Sequence, residues 1–453
     1  MANLRKSRPN TILEWVESNL RTQVSGKDHL VVALSGGVDS VVLLHLLHTL
    51  SRLMTFRLSA VHVEHGISAY AAQWSDFCQN QCSALGIPIQ IFRLKVQKVP
   101  QVSLEAAARQ ARYQVFNGIE ADYIVLAHHQ DDQVETVLLQ LLRGAGVKGL
   151  AGMPVVRKLA SRSAIRLLRP LLNVSRETIL QYARQHHLSW VDDESNSDTA
   201  YNRNFLRHVI CPLLEQRFPA YRETCSRASQ HLGEAAHLLD ELAEIDSQCA
   251  MTAGNLHLDG LRQLSFSRAK NLLRYLFSQH GAIPPNSLKL EEILRQLLSA
   301  KADTKLHLVF GEVEIRCFKG LVRIQPKRMQ SEMNVPLVWR GEHRWVLEPL
   351  EGMIEFVQQQ GMGINPTELI KKPVTVRLRA GGERFQPDCK RPRRSLKKLL
   401  QEAALPPWER GTLPLLFSGE QLVWVPGIGV DCAFQALPGE LGWVVTWRPN
   451  KLD

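Results

Sequence analysis

Up to about residue 215, short unbroken apolar runs alternate with stretches in which apolar residues recur at helical spacing. Leu30–Leu34 (LVVAL) predicts a buried strand, and after a glycine turn Val38–Leu53 predicts an apolar helix. A second strand over Leu58–Val63, a helix over Ala71–Leu85 and a third strand over Ile87–Leu94 follow. Ser103–Ile119 reads as a helix capped by Ser103, Tyr123–Ala127 as a fourth strand and Gln133–Leu142 as a further helix. Strands alternating with crossover helices imply an α/β fold with a parallel, doubly wound sheet.

The pattern changes near Pro212. Tyr221 to about Ala300 is helical in period with a break at Pro284-Pro285, and Thr304–Ile324 holds shorter strand-like runs (KLHLVF, EVEIRCF, LVRIQ). After Asn334 the chain is rich in strand and turn signals, with many Gly and Pro. The expected organisation is an α/β domain over 1–217, a mainly helical domain over 218–328 and a smaller α+β domain over 329–453.

Composition narrows the class. With 453 residues, 45% of them hydrophobic and 22% charged, the chain can bury a sizeable core, which excludes disorder over most of its length. A net charge of +11 tilts the expected partner toward a polyanion, nucleic acid first. The most apolar stretch, Leu30–Leu50, is interrupted by Ser35, Gly36, Gly37, Asp39 and two histidines, so no membrane span is expected. The basic N-terminus has no apolar segment behind it, which argues against a secretory signal. Eight scattered cysteines, none in a C-x-x-C pair, suggest free thiols in a reducing cytoplasm.

The most informative segment is Ser35-Gly36-Gly37-Val38-Asp39-Ser40, directly after the first strand and opening the first helix. Glycines there let backbone amides approach a phosphate, the helix N-terminus adds partial positive charge, and two serine hydroxyls can donate to the same oxygens. No G-K-[ST] follows, so the loop is not a Walker A sequence. A loop without that lysine suits release of pyrophosphate rather than transfer of the terminal phosphoryl group. A tight turn that merely needs glycine is the plainer alternative.

The second segment is Ala127-His128-His129-Gln130-Asp131-Asp132-Gln133-Val134-Glu135-Thr136. Asp132 and Glu135 stand three apart, on one helix face, where they can grip Mg²⁺ or an ammonium group. Asp131 or Asp132 as an N-cap, with Glu135 completing a capping box, is the structural alternative, and the two roles can coexist. Arg109 and Arg112 also share a face, suited to phosphates or a target nucleotide, unless they form a solvated surface with Glu105 paired to Arg109. Lys371–Lys398 carries eleven Lys/Arg against two acidic residues, a counterpart for backbone phosphates. His62, His65, His128 and His129 are not arranged with cysteines as a zinc set.

Ser35 to Ser40 resembles the SGGxDS pyrophosphate loop of the ATP-pyrophosphatase (PP-loop) family, whose members adenylate a carbonyl or carboxyl oxygen and displace AMP with a nitrogen or sulfur nucleophile. His128 to Thr136 resembles the HHxDDxxET motif of the tRNA(Ile)-lysidine synthetases within it. Leu142–Met153 is similar to their LRGxGxxGLxGM segment, and Arg169-Pro170-Leu171-Leu172 follows. Asp193-Glu194-Ser195-Asn196 with Arg203-Asn204-Phe205-Leu206-Arg207 resembles their D-x-S/T-N … RNxxR signature. Glu105–Arg109 with Arg112-Tyr113 matches a basic helix of the catalytic domain. Leu378–Phe385 and Arg394–Leu400 resemble the C-terminal domain.

The resemblance implies ATP and Mg²⁺ as cofactors, with Ser35, Gly36, Gly37, Val38, Asp39 and Ser40 binding the nucleotide and Asp39 holding the metal. It implies free L-lysine and tRNA(Ile) with a CAU anticodon as substrates in the cytoplasm, the wobble cytidine becoming lysidine through an adenylated intermediate. Asp39, Asp132, Glu135 and Arg112 are the expected catalytic residues. Arg109, Arg203, Asn204, Arg207, Arg384, Arg393, Arg394 and Lys397 are the expected RNA contacts. An RNA 2-thiolation enzyme with the same loop and a non-catalytic RNA-binding protein are the rival readings, and oligomeric state, a homodimer included, is left open.

Overall fold

The structure, a computed structural model, describes residues 11–66, 68, 70–94, 104–159, 163–194, 198–252, 255–281, 284–301, 306–310, 313–327 and 336–449. Ser103, Ser195 and Asn196 lie outside the described residues, as does the side chain of Glu105. The chain divides into two contact units, Met1–Ala250 with Leu264–Leu290, and Met251–Gln263 with Glu291–Asp453.

The first unit is built as α1 (Ile12–Gln23), β1 (His29–Ala33), α2 (Val38–Met54), β2 (Arg57–Glu64), α3 (Ala71–Leu85), β3 (Ile89–Arg93), α4 (Leu104–Asn117), β4 (Tyr123–Val125), α5 (Gln130–Leu142), α6 (Val147–Leu150), β5 (Val156–Lys158), β6 (Arg166–Leu168), α7 (Arg176–Gln185), α8 (Asn202–Phe205), α9 (Cys211–Arg217) and α10 (Tyr221–Ala250). Its sheet runs β3-β2-β1-β4-β6-β5, parallel except at the edge strand β5. β1 pairs with β2 and β4 on its two sides (Leu30↔Leu58, Leu30↔Tyr123) and is apolar throughout its middle, as a strand covered on both faces must be. α2 buries Val41, Val42, Leu43, Leu44, Leu46, Leu47 and Leu50, apolar nearly all round because it is enclosed by sheet, α1 and α7. The doubly wound reading of this region holds; α1 and the short strands β5 and β6 are additions to it.

The second unit carries β7 (Met251–Thr252), β8 (Asn255–His257), β9 (Leu306–Phe310), β10 (Val313–Phe318) and β11 (Leu321–Pro326) in an antiparallel sheet ordered β7-β8-β11-β10-β9. Beyond these, Leu337–Pro449 forms a second five-stranded sheet, a three-stranded sheet and short helices around a core that includes Leu347, Ile354, Val376, Leu416 and Val423.

Two expectations need correcting. The fifth helix begins at Gln130, not Gln133, because His129 is its N-cap and the Asp132 carboxylate accepts the His129 backbone N–H at 3.0 Å. Cysteine is not free throughout: Cys389 and Cys432 form a disulfide across 43 residues, their Cα atoms 5.5 Å apart, leaving Cys78, Cys82, Cys211, Cys225, Cys249 and Cys317 as thiols. Spacing along the chain conceals a pair that only the fold apposes.

Candidate active site

The strand order reverses between β1, which continues to β2 on one side, and β4, which lies on the other. In a doubly wound sheet the crevice at the carboxyl ends of two such strands is where ligands bind. The loops leaving β1 and β4 at this point carry Ser35–Gly37 and His128–His129.

The first loop is drawn tight by its own serines. Ser35 N–H donates to Ser40 Oγ at 3.2 Å, the two hydroxyls stand 3.1 Å apart, and Ser40 Oγ donates to the Gly37 carbonyl at 2.9 Å. Gly36 has φ +91°, and a Cβ there would stand 2.8 Å from Val191 Cγ2, so both backbone and packing require glycine. Gly37 opens α2 with extended backbone and no side-chain cap, which leaves first-turn amides available to an anion. Asp39 sits in that first turn; its Oδ1 is buried with no hydrogen-bond partner and its Oδ2 is 3.6 Å from His129 Nε2.

His129, 1% exposed, joins this loop to the acidic helix. Its Nδ1 is 3.6 Å from Asp131 Oδ2 and its Nε2 3.5 Å from Asp132 Oδ2. Burial opposes its charge, but Asp132, then Asp131 and Asp39, outweigh that and push the imidazole up to about 10. It is therefore an imidazolium among three carboxylates.

Asp132 and Glu135 face one way from α5 and are met by two arginines. Arg203 Nε donates to Glu135 Oε2 at 2.6 Å and its Nη2 to Asp132 Oδ1 at 2.9 Å. Arg207 Nε donates to Glu135 Oε1 at 2.6 Å and its Nη2 to Asp132 Oδ1 at 3.2 Å. The two arginines are a turn apart where α8 runs into a π-helical turn, Leu206–Ile210, a distortion frequent at functional sites. Burial pushes the Asp132 carboxyl up, but His129 and Arg203 together hold it below the usual range. Asp131, on the other side of His129, also accepts from the Arg176 N–H at 3.0 Å and from Arg222 Nε at 2.6 Å. A cavity of about 420 Å³ lies alongside, lined by Asp131, Glu135, Arg176, Arg207, Tyr221 and Arg222 among others.

The structure thus gathers Ser35, Gly36, Gly37, Val38, Asp39, Ser40, Asp132, Glu135, Arg203 and Arg207 around one crevice. Arg112 lies near His65, whose imidazole is held at about 4 by burial first and then by Arg112 and His62. Arg109 stacks on Tyr113 of its own helix. Asn204 is half-buried and donates to the Asp198 carbonyl at 2.9 Å. Arg384, Arg393, Arg394 and Lys397 belong to the second unit. There Arg393 is paired with the buried Asp431 at 2.8 Å and Arg394 with Glu402, while Lys397 is exposed. His129 and Asp131 are site residues that the sequence left unassigned; the available signal was their position at a helix start beside Asp132.

A parallel sheet with an uncapped, serine-laced S-G-G-V-D-S loop at its switch point defines a PP-loop nucleotide-binding domain. The PP-loop domain family matches residues 10–214, the TilS substrate binding domain residues 256–322 and the TilS substrate C-terminal domain residues 374–447. The tRNA(Ile)-lysidine synthase of Nitrosomonas europaea is 59% identical over 453 residues, 100% of this chain and 99% of its own. That of Coxiella burnetii is 36% identical over 446 residues (98% and 97% of the two chains), and that of Aromatoleum aromaticum 39% over 429 residues (94% and 98%). The chain belongs to the tRNA(Ile)-lysidine synthase family, ligases of the ATP-using PP-loop class.

Proposed function

We propose that this chain joins free L-lysine to ring carbon 2 of the wobble cytidine of tRNA(Ile) with a CAU anticodon, splitting ATP to AMP and pyrophosphate. The product, lysidine, switches the tRNA from methionine to isoleucine. The observation that carries the reading is the His129 bridge, which places the phosphate-binding loop and the buried Asp132–Glu135 pair in one crevice.

The chemistry needs both parts. The cytosine carbonyl oxygen cannot depart as oxide; adenylation makes it part of a good leaving group, and ATP is accordingly split between its α and β phosphates. The Gly36–Gly37 amides with Ser35 and Ser40 would receive those phosphates. Mg²⁺ fits Asp39, since its Oδ1 is buried without a protein partner and one carboxylate plus substrate phosphates is an ordinary magnesium donor set. When bound there, the ion supplies charge neutralisation for the departing pyrophosphate.

The incoming lysine carries an ε-ammonium with an unperturbed pKa of ~10.4. Asp132, held ionised below the usual range, is a weak base at neutral pH and a good cation anchor; Asp132 and Glu135 are therefore assigned to binding the amine, in place of the guanidinium groups that hold them in the free protein. Arg112 and Arg109 are assigned to phosphate and target nucleotide, and Arg203, Asn204 and Arg207 to the same RNA segment. Residues 1–217 form the catalytic domain in this reading, 218–328 a substrate domain, and 329–453, with Arg384, Arg393, Arg394 and Lys397, a tRNA-binding domain. The compartment of this reading is the cytoplasm.

The thiolation alternative lacks a nucleophile in Cys78 and Cys82, the pair closest in sequence. Cys78 and Cys82 are fully buried, and burial pushes their thiols up to about 12 and about 11. Purified protein incubated with ATP, Mg²⁺, tRNA(Ile) and labelled lysine should release AMP only with lysine present and place label in the tRNA. No nucleotide turnover sinks the reading in favour of a binding module. Glu135→Gln should raise the lysine KM about tenfold to a hundredfold, the range for a lost charge-assisted hydrogen bond; unchanged affinity and rate remove Glu135 from the site.

A further inference from the structure

Beside β4 the fold gathers Arg109 with two further arginines, Arg157 and Arg169, that the lysine and nucleotide assignments do not use. Arg109 and Tyr113 are one turn apart on α4; the guanidinium lies 5.0 Å from the ring centroid, and its Nη2 donates to the Tyr113 hydroxyl at 3.1 Å. Arg157, on the edge strand β5, reaches the same ring at 5.7 Å and donates to the same hydroxyl at 3.3 Å. Arg169, directly after β6, is 2% exposed; its Nη1 donates to the Pro154 carbonyl at 2.7 Å and its Nε, fully buried, has no hydrogen-bond partner. Among the described residues none of these three arginines forms an ion pair with a carboxylate, whereas Arg203, Arg207 and Arg222 each do.

Three guanidinium groups held together without a counter-charge are costly unless an anion completes them. The local electrostatics carry the mark of that convergence. Burial, with Arg157 and Arg109 adding to it, pushes Arg169 down to about 10, and the three arginines hold the Tyr113 phenol below its ordinary value although burial acts the other way. Arg109 and Arg157 are exposed at the rim, and Arg169 forms the floor.

We propose that Arg109, Arg157 and Arg169 form an anion subsite for a backbone phosphate of the RNA strand that carries the reacting base, with Tyr113 as the positioning residue for the two rim arginines. The inference rests on the function proposed above and adds Arg157, Arg169 and Tyr113 to it. RNA is favoured over the nucleotide as the source of the phosphate by position. The ATP loop leaves β1, while Arg169 leaves β6, two strands away across β4 and so about 10 Å along the sheet edge. The rim opens to solvent, as a polymer requires. Forked guanidinium groups suit a phosphodiester oxygen pair.

The test is steady-state kinetics and tRNA binding across salt concentrations for Arg157→Gln, Arg157→Lys and Tyr113→Phe, with ATP binding by calorimetry and a thermal melt as controls on the full chain. Arg157→Gln should raise the tRNA KM about tenfold and flatten the salt dependence of binding by about 0.7 in log–log slope, with ATP affinity and lysine KM unmoved. Arg157→Lys should keep the slope and recover only part of the affinity, and Tyr113→Phe should raise tRNA KM less than Arg157→Gln does. An Arg157→Gln protein with wild-type tRNA KM and salt slope overturns the subsite. So does one that loses ATP affinity while binding tRNA normally, which would hand the anion to the nucleotide. Absence of lysidine formation by the wild-type protein counts against the function alone, since the tRNA salt slope still reads the subsite.

Discussion

Gly36 is the position in the nucleotide loop where a single methyl group does most harm. Its φ of +91° strains any other residue, and Val191, whose N–H donates to the Gly36 carbonyl at 3.0 Å, blocks the Cβ. Gly36→Ala is expected to cost about 1–3 kcal/mol of backbone strain and to abolish ATP binding by calorimetry. Gly37→Ala should be far milder, because a Cβ there meets only Ser35 Oγ at 3.6 Å. His129 makes the complementary case. Its imidazolium separates Asp39, Asp131 and Asp132, so His129→Asn leaves three carboxylates facing one another. A loss of about 3 kcal/mol, the cost of removing one partner from a buried ion pair, should appear in denaturant unfolding at pH 7. An unchanged unfolding midpoint would mean that the carboxylates take up protons or water instead.

At the scale of elements, β1 to β4 and α2 to α4 are legible because each strand is rich in apolar, β-branched residues and each helix keeps its period. β6 is three residues long, Arg166–Leu168, too short for any period, and β5 is an exposed-leaning edge. The carboxylate pair of α5 is legible from i,i+3 spacing and the arginine pair from i,i+4, but that the two pairs bind each other is not, since Arg203 and Glu135 are 68 residues apart. Cross-strand pairing between sequence neighbours instead decides β10 in the second unit. Glu314, 4% exposed, accepts from Arg316 at 2.8 Å and from Gln325, and meets His307 at 2.9 Å. Burial raises its carboxyl, but Gln325, Arg316 and His307 hold it below its ordinary value. The tie therefore stabilises fully above the unfolded carboxyl value of about 4.3 and is lost as pH falls through the lower folded value. Glu314→Gln should cost about 1–3 kcal/mol at pH 7, and thermal melts should show that difference shrinking as the solution is taken below pH 4.

Across the whole chain, a net charge of +11 is concentrated in one sequence segment, and the structure divides that segment into two kinds of cation. Arg393 and Arg394 are already spent on Asp431 and Glu402, and the Arg393–Asp431 pair sits beside Gln386, whose N–H also donates to Asp431 at 3.0 Å. Their first duty is to fold the loop. Lys397 and Lys398, exposed on the helix Leu396–Glu402 whose Leu396, Leu399 and Leu400 point into the core, form no ion pair among the described residues. Free, rigidly mounted cations are the ones that neutralise RNA phosphates and release counterions. Neutralising Lys397 and Lys398 together should therefore lower tRNA affinity and reduce the salt slope by about 1.4–1.8, leaving the thermal midpoint and ATP binding unchanged. Arg393→Gln should instead lower the thermal midpoint first, with any loss of tRNA binding following from the loosened loop. Equal melting of the two variants, or an unmoved salt slope in the double lysine variant, would return the RNA-facing role to the paired arginines.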